Sequence, residues 1–517
     1  MIKMVESSSQ KVGIKIFRGA AATVLSLVAT TIIGLVIMPI VVNQLGDRLY
    51  GVWVLIGTIT GYFGFLDLGL SKAVMRFVSQ SLGKGDKVAA DDWISIALAS
   101  FAILAIVSLF LSIGVWLLVP CFLSGAEDAK VISLALLIAL LAFSAALPAR
   151  CFLGILEAHV RKDIVSLIHV LTNIFRAGTM FVVISYKGSL IGLAMVAAIY
   201  TVFDGFLIIC FARRVHGPFR LNKAALNIEN LKVFFGYASS SFVTQITDII
   251  RYKSYPMIIT PFLGLAALTP FAIAERLTQM LISLCNGILL NLSPVFSQLE
   301  GAGGVEGNEK LKRYYFFSYK FSCYLGVFAV GMTMMLASPF IERWMGAKYL
   351  NAVPILHVLL IGIFFSLIQI PTLCFLFAVS RQKFYAITNT IHSVASIILC
   401  AILVIPFELL GLAFGISVVT FFVKFFLQPI GVLGLIDMKL INYHIKKSLP
   451  NIIIPSIFII LYYFFTKKYI QPNYSIIFLI GLFGSLFFTL YICVCGFNKC
   501  ERSMLLRAIK PALFFLK

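Results

Sequence analysis

Long apolar stretches constrain this chain more than any other feature of its sequence. A spanning α-helix needs about 20 mostly apolar residues. Fourteen stretches meet that requirement, near residues 19–42, 51–72, 93–119, 131–156, 164–185, 189–212, 234–258, 268–292, 315–338, 351–379, 384–405, 410–434, 449–466 and 474–496. Only 12% of the 517 residues are charged, against about 25% in soluble domains. The sequence therefore predicts an all-α polytopic membrane protein.

The distribution of Lys and Arg predicts the orientation of these helices. With a cytoplasmic N-terminus, 29 of them lie in inside segments, seven in outside loops and six within spans. Cytoplasmic loops are rich in basic residues, so both termini are expected in the cytoplasm. The same rule accounts for the net charge of +21 without nucleic-acid binding. The run 19–42 exceeds the roughly 7–15 apolar residues of a signal peptide, which favours a retained first helix.

An internal repeat divides the chain. The matching pairs are Leu45-Gly46 with Leu263-Gly264, Ser79-Gln80 with Ser297-Gln298, Pro120 with Pro339, Pro148-x-x-Cys151 with Pro371-x-x-Cys374, and Gly192-Leu193-Ala194 with Gly411-Leu412-Ala413. Their offsets of 218–223 residues predict two parallel six-helix repeats, forming two lobes around a central cavity. We expect an N-terminal lobe at 1–225, a C-terminal lobe at 226–440, and two additional helices with a basic tail at 441–517.

The loops leave little room for catalysis. The longest, near 213–233 and 297–314, have only about 20 residues each, too few for a soluble catalytic domain. No G-x-x-x-x-G-K phosphate loop occurs. The cysteines near the end, Cys493, Cys495 and Cys500, have no histidine close by in sequence. We therefore predict no enzyme activity, no cofactor and no metal.

Polar residues recur at helical spacing in three of the apolar stretches. The fifth carries Ser166, His169, Thr172, Asn173, Arg176 and Thr179; the seventh Ser241, Thr244, Gln245, Asp248 and Arg251; the eighth Glu275, Arg276, Gln279, Ser283 and Asn286. Such stripes either line a hydrated cavity or form hydrogen bonds between packed helices. The uncharged residues favour hydrogen bonding between helices, and the charged ones favour the cavity, because an intramembrane charge is costly.

The intramembrane charges are mainly positive. Six cations (Arg150, Arg176, Arg251, Lys253, Arg276 and Lys424) face four acids (Asp67, Asp204, Asp248 and Glu275). Asp248 and Arg251 lie one turn apart and are expected to pair, whereas Arg176, Lys253 and Lys424 have no obvious local partner. An excess of cations attracts anionic groups, and an Arg fork fits phosphate. The predicted substrate-binding residues are Arg176, Arg251, Lys253, Arg276 and Lys424, with Asp248, Glu275 and His169 for ion coupling or charge pairing.

The second stretch carries the most specific motif, LGDRLYGVWVLIGTITGYFGFLDLGLSKAVMRF. It resembles the N-terminal signature of Wzx-type polysaccharide flippases, in the polysaccharide branch of the multidrug/oligosaccharidyl-lipid/polysaccharide exporter superfamily. The matching positions are Leu45, Gly46, Tyr50, Gly51, Asp67, Leu68, Gly69, Leu70 and Arg76. Within that signature, Asp67 has a simple structural interpretation as a helix-end acid that pairs with Lys72 or Arg76.

The resemblance implies a function that composition alone does not. It implies a monomeric flippase in the bacterial inner membrane, which moves an undecaprenyl-pyrophosphate-linked sugar repeat unit for O-antigen, capsule or exopolysaccharide synthesis by alternating access. Its partners would be membrane lipids, a polysaccharide polymerase and a chain-length regulator. Three alternatives remain: a cation-coupled multidrug exporter, an integral-membrane polymerase or ligase, and a scaffold for sugar-assembly enzymes.

Overall fold

The computed structural model describes residues 2–122, 129–187, 189–289, 293–301, 304–498 and 501–502. Within these ranges it does not describe the side chains of residues 2–22, 24, 119–122, 187, 240–241, 243–249, 251–252, 293–294, 298, 304–307 and 495. The helices of the described part are α1 (Ile2–Tyr62), α2 (Leu70–Gly83), α3 (Lys87–Phe122), α4 (Ala129–Ala146), α5 (Ala149–Ala158), α6 (Lys162–Lys187), α7 (Leu190–His216), α8 (Ile228–Leu263), α9 (Leu268–Leu289), α10 (Ser293–Gly301), α11 (Gly304–Met345), α12 (Ala352–Ile368), α13 (Ile370–Ala378), α14 (Gln382–Phe421), α15 (Gln428–Ile436), α16 (Leu440–Tyr443), α17 (Leu449–Thr466) and α18 (Tyr474–Tyr491).

The apolar helices account for all fourteen predicted spans. Among the described residues, eleven continuous helical stretches are long and apolar enough to cross a membrane. Two of them, Leu25–Asp67 and Gln382–Ile436, each contain two predicted spans separated by a backbone break. The remaining predicted span lies in α8, which is itself a 36-residue helix. The predicted all-α polytopic class is thereby confirmed.

Three predicted spans end or break earlier than their apolar runs suggest. The second, predicted at 51–72, ends in a 3₁₀ turn at Phe63–Asp67, because Leu68 and Gly69 adopt the left-handed conformation. The fourth divides into α4 and α5, and the tenth into α12 and α13. The prolines of the sequence repeat, Pro148 and Pro371, lie at these two divisions, where a proline fits the first turn of a helix.

The backbone repeats its unusual turns at the offset of the sequence repeat. Gly46 has φ 73° and ψ 170°, and Gly264 has φ 80° and ψ 171°. Val160 and Ser380 have φ of 57° and 58°. After each of these two residues, an arginine N–H donates to the carbonyl five residues earlier, at 3.0 Å and 2.8 Å. Identical turns at equivalent positions support duplication of a six-helix unit.

The described chain forms two compact units, Met1–Thr269 and Pro270–Lys517. In the first, a buried apolar core joins α2, α3, α5 and α7 to the start of α8, where Phe234 is fully buried. A second core joins α1, α4 and α7 through residues such as Val52 and Leu136. These cores position α6 and α7 beside the junction of α4 and α5. The lobe boundaries expected from the repeat remain a prediction.

A candidate substrate site in the first unit

A polar cavity of about 500 Å³ lies within the first unit, in the middle of the predicted membrane region. We call it the α6–α7 cavity. It is lined by Phe143, Ala146, Ala149, Arg150, Leu153, His169, Thr172, Asn173, Arg176, Tyr200, Thr201, Asp204, Gly205 and Ile208. Arg176 is the 15th of the 26 residues of α6, so its backbone lies about 21 Å along the helix from Lys162. The cavity therefore places charged groups at the depth of the hydrocarbon core.

Asp204 of α7 organises one wall of the cavity. Its Oδ1 accepts a hydrogen bond of 2.8 Å from the Thr172 hydroxyl and lies 3.1 Å from Nδ1 of His169. The same carboxylate interacts electrostatically with Arg176. Three residues of the polar stripe on α6 thus converge on one acid of α7. Arg176, which has no obvious partner in the sequence, is accompanied by Asp204 in the folded protein.

Arg150 of α5 provides the second guanidinium of the cavity. Its Nη1 donates to Oδ2 of Asp67 at 3.0 Å, and its guanidinium carbon lies 5.3 Å from the ring centre of Phe143. Ser71 donates to the same carboxylate from its backbone N–H at 3.2 Å and its hydroxyl at 2.7 Å. The predicted pairing of Asp67 within its own helix is therefore wrong.

The alternative partners of Asp67 are occupied elsewhere. Nζ of Lys72 lies 3.6 Å from Glu157, and the Arg76 guanidinium stacks at 4.2 Å on the ring of Tyr237. A helix-end acid can reach a neighbouring helix as readily as the next turn of its own. Here, the left-handed residues after Asp67 direct the chain away, and Arg150 of α5 reaches this end of the second span.

The cavity presents its cations more openly than its acids. The Arg150 side chain is 36% exposed, whereas that of its partner Asp67 is 6% exposed. Asp204 is 21% exposed and His169 41%. Counting Asp67, the two guanidiniums face two carboxylates, so the site is less basic overall than the sequence predicts. A ligand in the cavity would nevertheless meet guanidinium N–H groups first.

Some uncharged residues of the α6 stripe line the cavity, and others form hydrogen bonds between packed helices. Thr172 and Asn173 line the cavity, as does Tyr200 of α7. Thr179 instead forms a 2.8 Å hydrogen bond with the Tyr200 hydroxyl, and Ser166 lies 3.4 Å from the Thr23 hydroxyl of α1. The ends of the stripe therefore hold helices together, while its middle faces the cavity.

The other predicted binding residues are not gathered at this cavity. Lys253 of α8 packs against α1 in the first unit, where a Cβ on Gly61 would lie 2.7 Å from its Cε. In the second unit, Lys424 is buried in a π-helical turn at Phe422–Leu427, with Nζ 5.4 Å from the ring centre of Tyr385. Arg276 and Glu275 are half-buried on α9. The side chains of Asp248 and Arg251 lie outside the described residues, so their predicted pairing is neither confirmed nor contradicted.

Several signature residues have structural roles. Gly51 lies in α1 where a Cβ would come within 1.9 Å of the Leu265 carbonyl oxygen. Gly46 forms the turn between the first two spans, and Gly69 begins α2 in the left-handed conformation. Tyr50 is buried. Among the signature residues, Asp67 reaches the cavity through its bond to Arg150.

A smaller cavity of about 270 Å³ in the second unit is almost entirely apolar. It lies between α9, α11, α12 and α18, and its walls include Leu277, Met280, Met332 and Phe340. It offers no charged group to an anionic ligand. In the part of the chain that the structure describes, no cluster of His, Cys, Asp and Glu has the arrangement of a metal site.

Sequence patterns missed two central members of the α6–α7 cavity. Composition identifies Arg150 and Asp204 as intramembrane charges, but helical spacing does not assign them to a site. Arg150 is separated from Asp67 by 83 residues, and Asp204 from His169 by 35, so helical periodicity could not pair them. A usable signal was the position of Arg150, two residues after the repeated Pro148.

Solved structures of other proteins share the fold of this chain. The lipid II flippase MurJ, in an inward closed conformation, matches with a TM-score of 0.68 and 17% identity, over 91% of this chain and 99% of that chain. A multidrug resistance transporter of the MATE family, from the MOP superfamily and in an inward-facing conformation, matches with a TM-score of 0.63 and 15% identity. The match covers 80% of this chain and 98% of that chain. The chain therefore has the fold of multi-pass membrane flippases and exporters.

Its family is narrower than that class. The model of the polysaccharide biosynthesis protein family matches residues 16–300, more than half of the chain, and the chain belongs to this family. A similar relative is the uncharacterized membrane protein EpsK of Bacillus subtilis (strain 168), which is 21% identical over 376 residues, covering 72% of this chain and 73% of EpsK.

Proposed function

We propose that this protein is a flippase for undecaprenyl-pyrophosphate-linked sugar repeat units, and that it works by alternating access in the bacterial inner membrane. The observation that carries the proposal is the α6–α7 cavity, which places Arg150 and Arg176 at membrane depth in a polysaccharide biosynthesis protein. The product would supply O-antigen, capsule or exopolysaccharide synthesis, with a polymerase and a chain-length regulator acting afterwards.

The groups of the cavity suit the two polar parts of such a substrate. Guanidinium forks donate paired hydrogen bonds to phosphate oxygens, so Arg150 and Arg176 would hold the pyrophosphate. The hydroxyl and amide groups of Thr172, Asn173 and Tyr200 can both donate to and accept from sugar hydroxyls. Asp67 would orient Arg150 and disperse its charge, which favours release as well as binding. Arg251, Lys253, Arg276 and Lys424 remain proposed contributors.

The contact between His169 and Asp204 supplies a candidate for ion coupling. An imidazole can take up or release a proton, and the neighbour of His169 is the Asp204 carboxylate at 3.1 Å. Taking up a proton there would alter the charge next to Arg176, the residue proposed to hold the pyrophosphate. We propose that protonation of this pair is linked to substrate release. Transport insensitive to a pH gradient would exclude this coupling, without affecting the flippase assignment.

Charge reversal at Arg176 tests the proposed function. In liposomes with a fluorescent polyprenyl-pyrophosphate sugar, Arg176→Glu should reduce leaflet transfer at least about tenfold, because one charged contact contributes roughly 1.5–3 kcal/mol. Arg176→Lys retains the charge without the fork and should transfer at an intermediate rate. Lys232→Glu, exposed near the start of α8, is the control and should transfer like the unmodified protein.

The rival functions predict different results. A cation-coupled drug exporter would leave the labelled lipid in place, and deletion of the gene would change drug resistance. A polymerase or ligase would elongate or transfer the sugar, and a scaffold would do neither. Unchanged lipid transfer by Arg176→Glu would overturn the proposed site, and absence of transfer by the unmodified protein under any ion gradient would overturn the function.

A further inference from the structure

A second polar cavity, also of about 500 Å³, lies where α5 turns into α6, beside the end of α7. We call it the junction pocket. It is lined by His159, Arg161, Ile164, Phe211, Arg214 and Val215, none of which lines the α6–α7 cavity. Three basic side chains are thus combined with three apolar ones. The proposed transport site does not use this pocket.

A chain of hydrogen-bonding side chains fixes the basic wall of the pocket. His159 Nε2 lies 3.1 Å from His216 Nδ1, and His216 Nε2 lies 3.0 Å from Oδ1 of Asp91 in α3. The other oxygen of Asp91 accepts from the backbone N–H of Arg220 at 3.1 Å. His216 is buried. The end of α5 is therefore tied through α7 to α3 and to the segment that follows α7.

Arg161 is also held in place. The left-handed turn at Val160 brings the backbone N–H of Arg161 within 3.0 Å of the carbonyl oxygen of Leu156. Its guanidinium donates twice to the carboxylate of Asp163, at 3.0 and 3.1 Å. Arg214 lies in the last turn of α7, where the helix dipole favours a cation. With His159, these side chains give the pocket two arginines and an imidazole against one carboxylate.

The location of the pocket indicates the depth of its ligand. Spanning stretches end at His216 and begin at Lys162 on either side of it. The pocket therefore lies at the membrane–water boundary, on the side that the predicted topology assigns to the cytoplasm. Phosphate groups of lipids lie at this depth. The apolar residues Ile164 and Phe211 extend from the pocket into the spanning part of α6 and α7.

We propose that the junction pocket binds the phosphate group of a membrane lipid at this boundary. The guanidinium of Arg214 would donate to phosphate oxygens, since an arginine fork is a strong donor to such anions. The N–H groups of Arg161 that do not bond to Asp163 would add to it, and the imidazole of His159, whose Nε2 contacts His216, would lie beside them. Ile164, Phe211 and Val215 would contact the first carbons of the attached chain. The phosphate can come from an anionic phospholipid or from a polyprenyl pyrophosphate, and a soluble pyrophosphate is the third source of the same chemistry.

Neighbouring arginines on α7 allow a matched test. Arg214 lines the pocket, whereas Arg213 lies outside its lining, with its guanidinium 5.9 Å from the ring of Phe152. The full-length protein would be titrated in detergent with fluorescent phosphatidylglycerol, polyprenyl pyrophosphate or phosphatidylcholine. We expect Arg214→Gln to weaken binding of at least one of the two anionic lipids about tenfold, and Arg161→Gln with Arg214→Gln to weaken it further. Arg213→Gln should bind as the unmodified protein does.

Competition by inorganic pyrophosphate identifies the source. Pyrophosphate that displaces the lipid only at millimolar concentration supports a lipid-borne phosphate, whereas micromolar displacement overturns the lipid part of the proposal. Equal binding by the Arg214→Gln and Arg213→Gln variants would overturn the site altogether. Because Arg214 is exposed, its single substitution keeps the test interpretable if the double variant is unstable. Loss of lipid binding with intact lipid transfer would separate this pocket from the proposed flippase site.

Discussion

At the scale of single residues, Asp67 shows what an acidic signature position contributes. A buried carboxylate is costly unless it is paired and hydrogen-bonded. The Asp67 side chain is buried and receives one bond from Arg150 and two from Ser71. Because Arg150 also lines the α6–α7 cavity, the acid positions a cavity cation from outside the lining. Its effect on transport is therefore expected to act through Arg150.

A double-mutant cycle on Asp67 and Arg150 tests this coupling. Arg150→Gln leaves the carboxylate without its cation, and Asp67→Asn leaves the guanidinium without its anion. Since Arg150 is partly exposed, we expect each single change to lower the free energy of unfolding by about 1–3 kcal/mol, less than for a fully buried pair. The double variant should be less destabilised than the sum of the two.

The cycle is measured by unfolding in detergent. Lys72→Gln provides a control, because Lys72 pairs with Glu157 and not with Asp67. Its combination with Asp67→Asn should be additive within about 0.5 kcal/mol. Strict additivity of the Asp67 and Arg150 substitutions would show that their contact does not stabilise the fold.

The residues of the cavity were only partly predictable from the sequence. Helical spacing correctly placed His169, Thr172 and Arg176 on one face of α6. It could not select Asp204 on α7, because periodicity identifies a face but not the element packed against it. The same reason explains the wrong partner predicted for Asp67. Local pairing is easy to see in a sequence, whereas its actual partner, Arg150, lies on another helix.

At the scale of elements, Gly51 controls how closely α1 approaches the turn before α9. A Cβ there would lie 1.9 Å from the carbonyl oxygen of Leu265 and 2.8 Å from its carbonyl carbon. Backbone atoms cannot rotate away as the end of a side chain can. The signature glycine is therefore required by close packing between two backbones.

Gly51→Ala is expected to lower the free energy of unfolding by about 1–3 kcal/mol or more, because it overpacks a contact with the backbone. Gly57→Ala is the matched control on the same helix, since a Cβ at Gly57 meets nothing within 4 Å. That change should be neutral or slightly stabilising, because alanine favours helix. Equal stability of the two variants, measured by unfolding in detergent, would refute the close approach.

Helix boundaries were less predictable than helix number. Fourteen spans followed from hydropathy, and the turns at Gly46 and Glu408 fall between predicted spans. The divisions after α4 and α12 could not be predicted from hydropathy. The apolar run continues through both of them, and hydropathy does not report backbone direction. The repeated Pro148 and Pro371 lie at these divisions. The repeated prolines thus mark two helix breaks that hydropathy does not reveal.

At the scale of the whole molecule, the two repeats keep the same turns but not the same charges. At the offset of 220 residues that relates Val160 to Ser380, His169 and Arg176 correspond to Asn389 and Ser396. At the offset of 219 that relates Gly192 to Gly411, Asp204 corresponds to Val423. The charged cavity of the first unit is therefore not repeated in the second at these positions. Backbone geometry is duplicated, while the polar groups have diverged. Such divergence suits a transporter whose halves share mechanics but not substrate contacts.

The duplicated turns at Gly46 and Gly264 lead to a prediction for the entire chain. Their φ and ψ values lie in a region that is essentially limited to glycine. A Cβ at either position meets nothing within 4 Å, so the cost of alanine there comes from the backbone alone. We expect Gly46→Ala and Gly264→Ala each to lower the free energy of unfolding by about 1–3 kcal/mol.

The test compares the losses of unfolding free energy caused by Gly46→Ala and Gly264→Ala, which should be similar. Gly236→Ala, in α8 and also without a close neighbour, is the control and should not destabilise the protein. If the turns are equivalent hinges for alternating access, each variant should also slow lipid transfer, and the two should slow it by similar factors. A large effect at Gly46 with none at Gly264 would mean that the repeat preserves the shape of the turn without its mechanical role.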